Sequence, residues 1–343
     1  MQIFNPDKAP VHGGRLNTVA QQSDIELDNW LDLSTGINPN GWPVPSMPER
    51  IFTRLPEDDD GLTDAATGYY GTNNHVVVAG SQAAIQLLPQ LRSTCRVGIL
   101  NPGYEEHAYC WHAAGHTVSL ISAADIDSLI DELDVIILIN PNNPTGEMFT
   151  RVQLLDWHDR LVNRDGWLVV DEAFMDSQFG HSLLEYTQRK GLIILRSLGK
   201  FFGLAGLRVG FVFAEKSLLN KLAYRLGPWS VSHPSRYIAS LALSDFNWQQ
   251  KTRQFITRQS DKLITLLAVH NLAPHGGTHL FQWVKNMNAL QWYEQLAQQG
   301  ILVRYFEQTS SLRFGLPKND IELERLGLAL YQTQKFIEGN SFV

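Results

Sequence analysis

The chain has 343 residues, 44% of them hydrophobic and 18% charged, with a formal net charge of −7. Such a chain can bury a large core and divide into two domains, which excludes a disordered or low-complexity protein. The acidic balance without a basic tract argues against nucleic acid as a partner, and apolar runs as short as VIILI fall far below a membrane span, so a small molecule is the expected ligand.

The first segment is polar and rich in glycine and proline, and it lacks the cationic and apolar stretches of a targeting signal. His12-Gly13-Gly14 lies in it; an imidazole on a flexible arm can reach a phosphate, although such a histidine is by itself an ordinary loop residue. In WLDLSTGINPNGWPVP the spacing predicts a short strand over 31–34 that turns at Gly36 and Pro39, with Asn38 or the Gly36 backbone free to meet a carboxylate. Asp58, Asp59 and Asp60 read as a solvated turn and helix start rather than a metal site, because adjacent loop carboxylates diverge. Cys95 and Cys110 are the only cysteines. Without CxxC spacing they read as reduced, packed thiols of a cytoplasmic protein.

From Val76 the runs VVVA, RVGIL, TVSL, VIILI, WLVV, LIIL and VGFVF alternate with helical patterns. Strands without polar alternation, separated by helix-length segments, predict an α/β fold with a mostly parallel sheet covered on both faces. Ligands of such sheets sit beyond the carboxyl ends of the strands. Gly80, Ser81 and Gln82 follow the first run and open a helix whose free amides suit a phosphate, with Ser81 also a natural N-cap. Tyr104 and His107 follow the second, and Asn143 follows VIILI. Asp171 ends WLVVD, where a carboxylate is costly unless a cation meets it. LIIL leads into SLGKFFGLAGLRVGF, where Lys200, partly desolvated beside Gly199 and Phe201, is suited to attack a carbonyl, and Ser197 and Arg208 could hold a phosphate.

Beyond about Pro234 long amphipathic helices and short strands indicate a second, α+β domain. Arg304 in ILVRYF and Arg313 in SLRFG are its candidate anion binders, although surface ion pairing is the usual fate of arginine. The expected division is an arm over 1–40 packing with the small domain, a large domain over 41–233 and the small domain over 234–343.

The segment from Ser197 to Phe211 resembles the lysine motif of the class I/II aminotransferases, fold-type I enzymes dependent on pyridoxal 5'-phosphate (PLP). HGG at 12–14 and STGINP at 34–39 resemble the threonine-phosphate decarboxylase branch of that family, which serves cobalamin synthesis. The resemblance implies PLP bound through Lys200, with Asp171 at the pyridine nitrogen, His107 behind Asp171, Tyr104 stacked on the ring and Asn143 at the phenolic oxygen. It places Gly80, Ser81, Gln82, Ser197 and Arg208 near the cofactor phosphate, and Arg313 on the substrate carboxylate. Arg304 lies where relatives acting on phosphorylated substrates carry an arginine. Phe174 stands where many relatives have a tyrosine, and Leu55 where a tyrosine crosses to a partner subunit, so a homodimer is implied. The implied reaction is decarboxylation of L-threonine O-3-phosphate, with transamination of histidinol phosphate as the alternative and a non-catalytic PLP-fold binding protein as a third.

Overall fold

The apolar runs become strands of one large sheet in the computed structural model, which describes residues 2–4, 10 and 12–340. In chain order the first nine strands are β1 (Gln2–Ile3), β2 (Leu31–Asp32), β3 (His75–Val78), β4 (Arg96–Leu100), β5 (Thr117–Ile121), β6 (Val135–Ile139), β7 (Trp167–Asp171), β8 (Leu192–Ser197) and β9 (Gly210–Phe213). All but β2 form a sheet of order β1-β5-β4-β6-β7-β8-β9-β3. The strands β5, β4, β6, β7 and β8 pair in parallel, whereas β9 runs antiparallel to both β8 and β3. Every residue of β6 and β8 is buried, as strands covered on both faces require. On one face Ala84, Ile85, Trp111, Leu218 and Leu222 from three helices pack against Val97, Ile137, Val169 and Ile193 of the strands. Each fully buried aliphatic side chain of this layer contributes roughly 1.5–3 kcal/mol.

The reversed strand β9 has a consequence for function. A strand opposed to its neighbours begins at the edge where they end, so Arg208, just before β9, lies at the same edge as the residues that follow the parallel strands. At that edge the turn after β6 leads into the helix Arg151–Val162 through a capping box, in which Thr150 and Gln153 satisfy each other's backbone amides.

The chain forms two compact units. The first contains β1 with 41–143 and 147–249, and the second contains 12–40, 144–146 and 250–340. Two expected boundaries move. Gln2–Ile3 pairs antiparallel with β5 and so extends the large sheet instead of joining an arm on the small domain; residues 5–9 and 11 of the expected arm lie outside the described residues. The first unit also runs past 233, because the helix His233–Ser244 is held to it by Arg236, whose guanidinium contacts Asp60 at 2.5 and 2.9 Å. Asp60 is therefore an ion-pair partner, and it also accepts from the Leu62 amide at 3.1 Å.

In the second unit β10 (Gly276–Thr278), β11 (Phe281–Lys285), β13 (Arg304–Phe306) and β14 (Ser311–Gly315) form an antiparallel sheet of order β10-β11-β14-β13. The run ILVRYF is split at Val303, since β12 (Ile301–Leu302) leaves this sheet to pair in parallel with β2.

Candidate active site

At the ligand edge of the first unit, β7 delivers Asp171, which is only 4% exposed. Its Oδ2 lies 3.1 Å from His107 Nε2, and its Oδ1 accepts from the Ala173 amide at 3.0 Å. His107 is itself 1% exposed, so the pair is shut away from water on this side. Tyr104 meets the His107 ring edge-on with centroids 6.2 Å apart. Its hydroxyl donates to Gln82 Oε1 at 3.3 Å, and Gln82 Nε2 donates to Glu106 Oε2 at 2.6 Å. Burial, with Glu106 and Asp171 nearby, pushes the Tyr104 phenol well up and keeps it a hydrogen-bond donor.

Gly80, with φ of 73°, occupies the N-cap position of the helix Ser81–Leu87, and no side chain caps that helix. Ser81 is thus the first helical residue rather than the cap expected from the sequence. A Cβ at Gly80 would come within 2.5 Å of Arg208 Nη2, and one at Gly210 within 2.6 Å of the Ser81 nitrogen. The two glycines therefore admit the Arg208 guanidinium beside Gly80 and the Ser81 amide beside β9. Arg208 adopts a left-handed φ of 53° and donates from Nη1 to the Ala205 carbonyl at 3.1 Å. Ser197 Oγ accepts from the Gly199 amide at 3.2 Å. The half-buried Lys200 extends its Nζ over the Phe174 ring, 5.3 Å from the centroid. Asn143 lies in the turn after β6, and its neighbour Asn142 donates to the Pro102 carbonyl at 2.8 Å, tying that turn to the one after β4.

In the second unit Arg313 and Arg304 sit directly opposite each other across β14 and β13. Like charges in that position cost stability. Arg313, 7% exposed, donates from Nη2 to the Ser34 carbonyl at 2.7 Å and lies over the rings of Phe281 and Phe306. Burial first, and then Arg304, lower its pKa to about 10. Ser34 Oγ accepts from the Gly14 amide at 3.0 Å, and a Cβ at Gly13 would lie 2.7 Å from the Ser34 carbonyl oxygen. The half-buried His12, the buried Gly36 and the buried Asn38 are carried on these same segments. The Asn38 side chain is turned locally, its Oδ1 accepting from the Asn40 amide at 3.0 Å.

The family profile described as "Aminotransferase class I and II" matches residues 56–326. The chain belongs to the class I and II aminotransferase family. A threonine-phosphate decarboxylase of Pseudomonas aeruginosa is 50% identical over 319 residues, spanning 93% of this chain and 96% of that protein. A second protein of that name, from a Sinorhizobium species, is 40% identical over 327 residues, spanning 93% and 97%. The crystal structure of histidinol-phosphate aminotransferase from Sinorhizobium meliloti in complex with pyridoxal-5'-phosphate matches with a TM-score of 0.83 at 20% identity, covering 97% of this chain and 98% of that one.

PLP, the cofactor of this class I/II enzyme, fits the first unit on its own geometry. Arg208 packed against Gly80, the Ser81 amide packed against Gly210 and Ser197, the register partner of Gly210, form a donor set that suits a phosphate ester, while the enclosed Asp171 suits a ring cation. Among the described residues no group of three His, Cys, Asp or Glu is placed to hold a metal. Two features escaped the sequence reading. Glu106, which holds Gln82, is one helical turn from a cysteine and reads as a surface acid. Arg196 and Glu172 form a fully buried ion pair at 3.0 Å, and the sole hint was their position beside Ser197 and Asp171.

Proposed function

We propose that this protein decarboxylates L-threonine O-3-phosphate to (R)-1-aminopropan-2-yl phosphate, the linker unit of cobalamin, and works as a cytoplasmic homodimer. The observation that carries the reading is the cross-strand pair Arg304 and Arg313, a doubled positive charge beside Ser34 that suits a substrate bearing both a phosphate and a carboxylate. Near-full-length identity to two proteins named for that reaction supports the choice of substrate.

When bound, PLP supplies a conjugated ring that takes up the electron pair left on the substrate's α-carbon. Arg208, Ser197 and the amides of Ser81 and Gln82 would hold its phosphate, and Tyr104 and Asn143 would contact its ring. Asp171, held by His107 and the Ala173 amide, would pair with the ring nitrogen and so favour its protonated form. Lys200 would hold the cofactor by its amine at the aldehyde carbon, the aldehyde oxygen leaving as water. His12 and Arg304 take the substrate phosphate, while Arg313, Asn38 and the Gly36 backbone take the carboxylate. Holding both ends would fix the substrate's orientation about its α-carbon, and that orientation decides which bond breaks. As carbon dioxide leaves, Lys200 Nζ, displaced from the cofactor by the substrate's own amine, would return a proton to Cα.

The fold alone also suits transamination of histidinol phosphate, as the Sinorhizobium meliloti neighbour illustrates. The two reactions separate when the protein is given threonine phosphate, and in parallel histidinol phosphate with 2-oxoglutarate, and carbon dioxide and glutamate are measured. Carbon dioxide from the first mixture is the expected result. Rapid glutamate formation from the second with none from the first would replace the decarboxylase by the aminotransferase.

A further inference from the structure

Immediately behind the ligand edge of the first unit lies a charged cluster to which neither the fold nor the chemistry above assigns a role. Arg196 is 0% exposed, and so are Glu172 and Asp176. The guanidinium reaches Glu172 Oε2 at 3.0 Å and Asp176 Oδ1 at 3.0 Å, and it donates to Ser182 Oγ at 2.9 Å. It is sandwiched between the rings of Tyr70 and Phe179, at 5.4 and 5.1 Å. Glu172 is bound at both oxygens, accepting from Ser182 Oγ at 2.6 Å and from the Leu183 amide at 2.9 Å. Tyr69 completes the cluster by donating to Asp176 at 3.2 Å.

Ions enclosed in this way contribute little net stability, because desolvation offsets their attraction, and apolar side chains of similar volume would fill the space as well. What they supply is direction. Successive side chains of a strand point to opposite faces, so fixing one residue fixes the aim of the next. Glu172 follows Asp171 at the end of β7, Arg196 precedes Ser197 at the end of β8, and the Glu172 amide donates to the Leu195 carbonyl at 2.9 Å. The pair on one face therefore sets the spacing of Asp171 and Ser197 on the other. The same cluster anchors the segment 174–183, which carries Phe174 against Lys200.

We propose that the buried Arg196–Glu172 pair is a positioning device for the cofactor, aligning Asp171, Ser197 and Lys200 from the opposite face of the sheet. The inference rests on the reading of the first unit as a PLP site. Burial raises the carboxyl pKa of Glu172, with Arg196 opposing, so its charge depends on the guanidinium remaining in place.

The test compares Glu172→Gln, the apolar pair Glu172→Met with Arg196→Met, and Ser182→Ala, which removes only the hydroxyl between the two ions. Three quantities are measured: the thermal midpoint of the apoprotein, the dissociation constant for PLP, and the pH midpoint of the visible absorption band of the loaded protein. Positioning predicts that Glu172→Gln and the apolar pair weaken PLP binding roughly tenfold, as loss of an outer support does for other bound groups. It also predicts a shift of the band midpoint by about one unit, as a displaced neighbouring charge produces. Ser182→Ala should change both in the same direction by less. A fall in thermal midpoint with PLP affinity and band midpoint unchanged in every variant that folds would mean that the pair is purely structural and would overturn the proposal. If the unsubstituted protein binds no PLP, the reading of the site fails first, which is a distinguishable result.

Discussion

Lys200 is the residue proposed to carry the chemistry, and its Nζ lies over the Phe174 ring at the ligand edge, 5.3 Å from the centroid. Lys200→Ala mixed with PLP and reduced with borohydride should carry no covalent cofactor in a mass spectrum, and an adduct would transfer the role to another lysine. His75 gives a test of electrostatics away from the site. Burial lowers its pKa below the ordinary value, while its Nδ1 donates to the Thr72 carbonyl at 3.3 Å. A histidine that resists protonation when folded but accepts a proton at about pH 6.5 when unfolded makes the native state lose stability as pH falls through that value. Denaturant midpoints should therefore drop between pH 7 and pH 5, and by less in His75→Phe, which keeps a ring against Phe211 and Phe213.

The start of the helix Ser81–Leu87 is the element most sensitive to a single atom. A methyl group at Gly80 would meet both a strained positive φ and Arg208 Nη2 at 2.5 Å. Gly80→Ala should cost about 1–3 kcal/mol at this turn. Since the guanidinium is the group that must move, equilibrium dialysis should find weaker PLP retention, with the far-ultraviolet spectrum preserved. The neighbouring strands explain how this element could be located in advance. β-Branched and aliphatic runs identified β3, β4, β6, β7 and β8, the rule that ligands lie past strand ends picked out the segments that follow them, and the family resemblance singled out Tyr104, Asn143 and Lys200 within those segments. The same rule could not select Arg208 on its own, because it precedes a strand, and the direction of VGFVF is set by its partners β8 and β3.

For the whole molecule, assembly is the open physical question. Phe52, Leu55 and Trp229 are 61%, 60% and 60% exposed on the first unit, and Trp229 lines one cleft with Pro56, Glu57 and Asp58. Large apolar side chains grouped at a surface mark an interaction site, and a second copy of the chain is the partner proposed here. Sedimentation should give twice the chain mass, while Leu55→Asp combined with Trp229→Ser should shift the protein toward a monomer with reduced activity. A monomer that retains full activity at assay concentration would end the homodimer reading. Two units were legible as a change of pattern near Pro234, but their true limits were not. The helix His233–Ser244 is amphipathic like those that follow, and its packing on the helix Leu62–Tyr70, with the ion pair between Arg236 and Asp60, 176 residues apart in the chain, assigns it to the first unit.

The sequence by itself determined the apolar strands from β3 to β9 and the residues that flank them, because periodicity and turn chemistry are local and need no knowledge of partners. The tertiary structure decided everything that depends on pairing. It placed Gln2–Ile3 on β5, reversed β9 so that Arg208 reached the ligand edge, made Gly80 rather than Ser81 the helix cap, and set Arg304 opposite Arg313. It also joined Arg196 of β8 to Glu172, the residue after β7, in the interior, where two charged letters become one unit because those strands are neighbours.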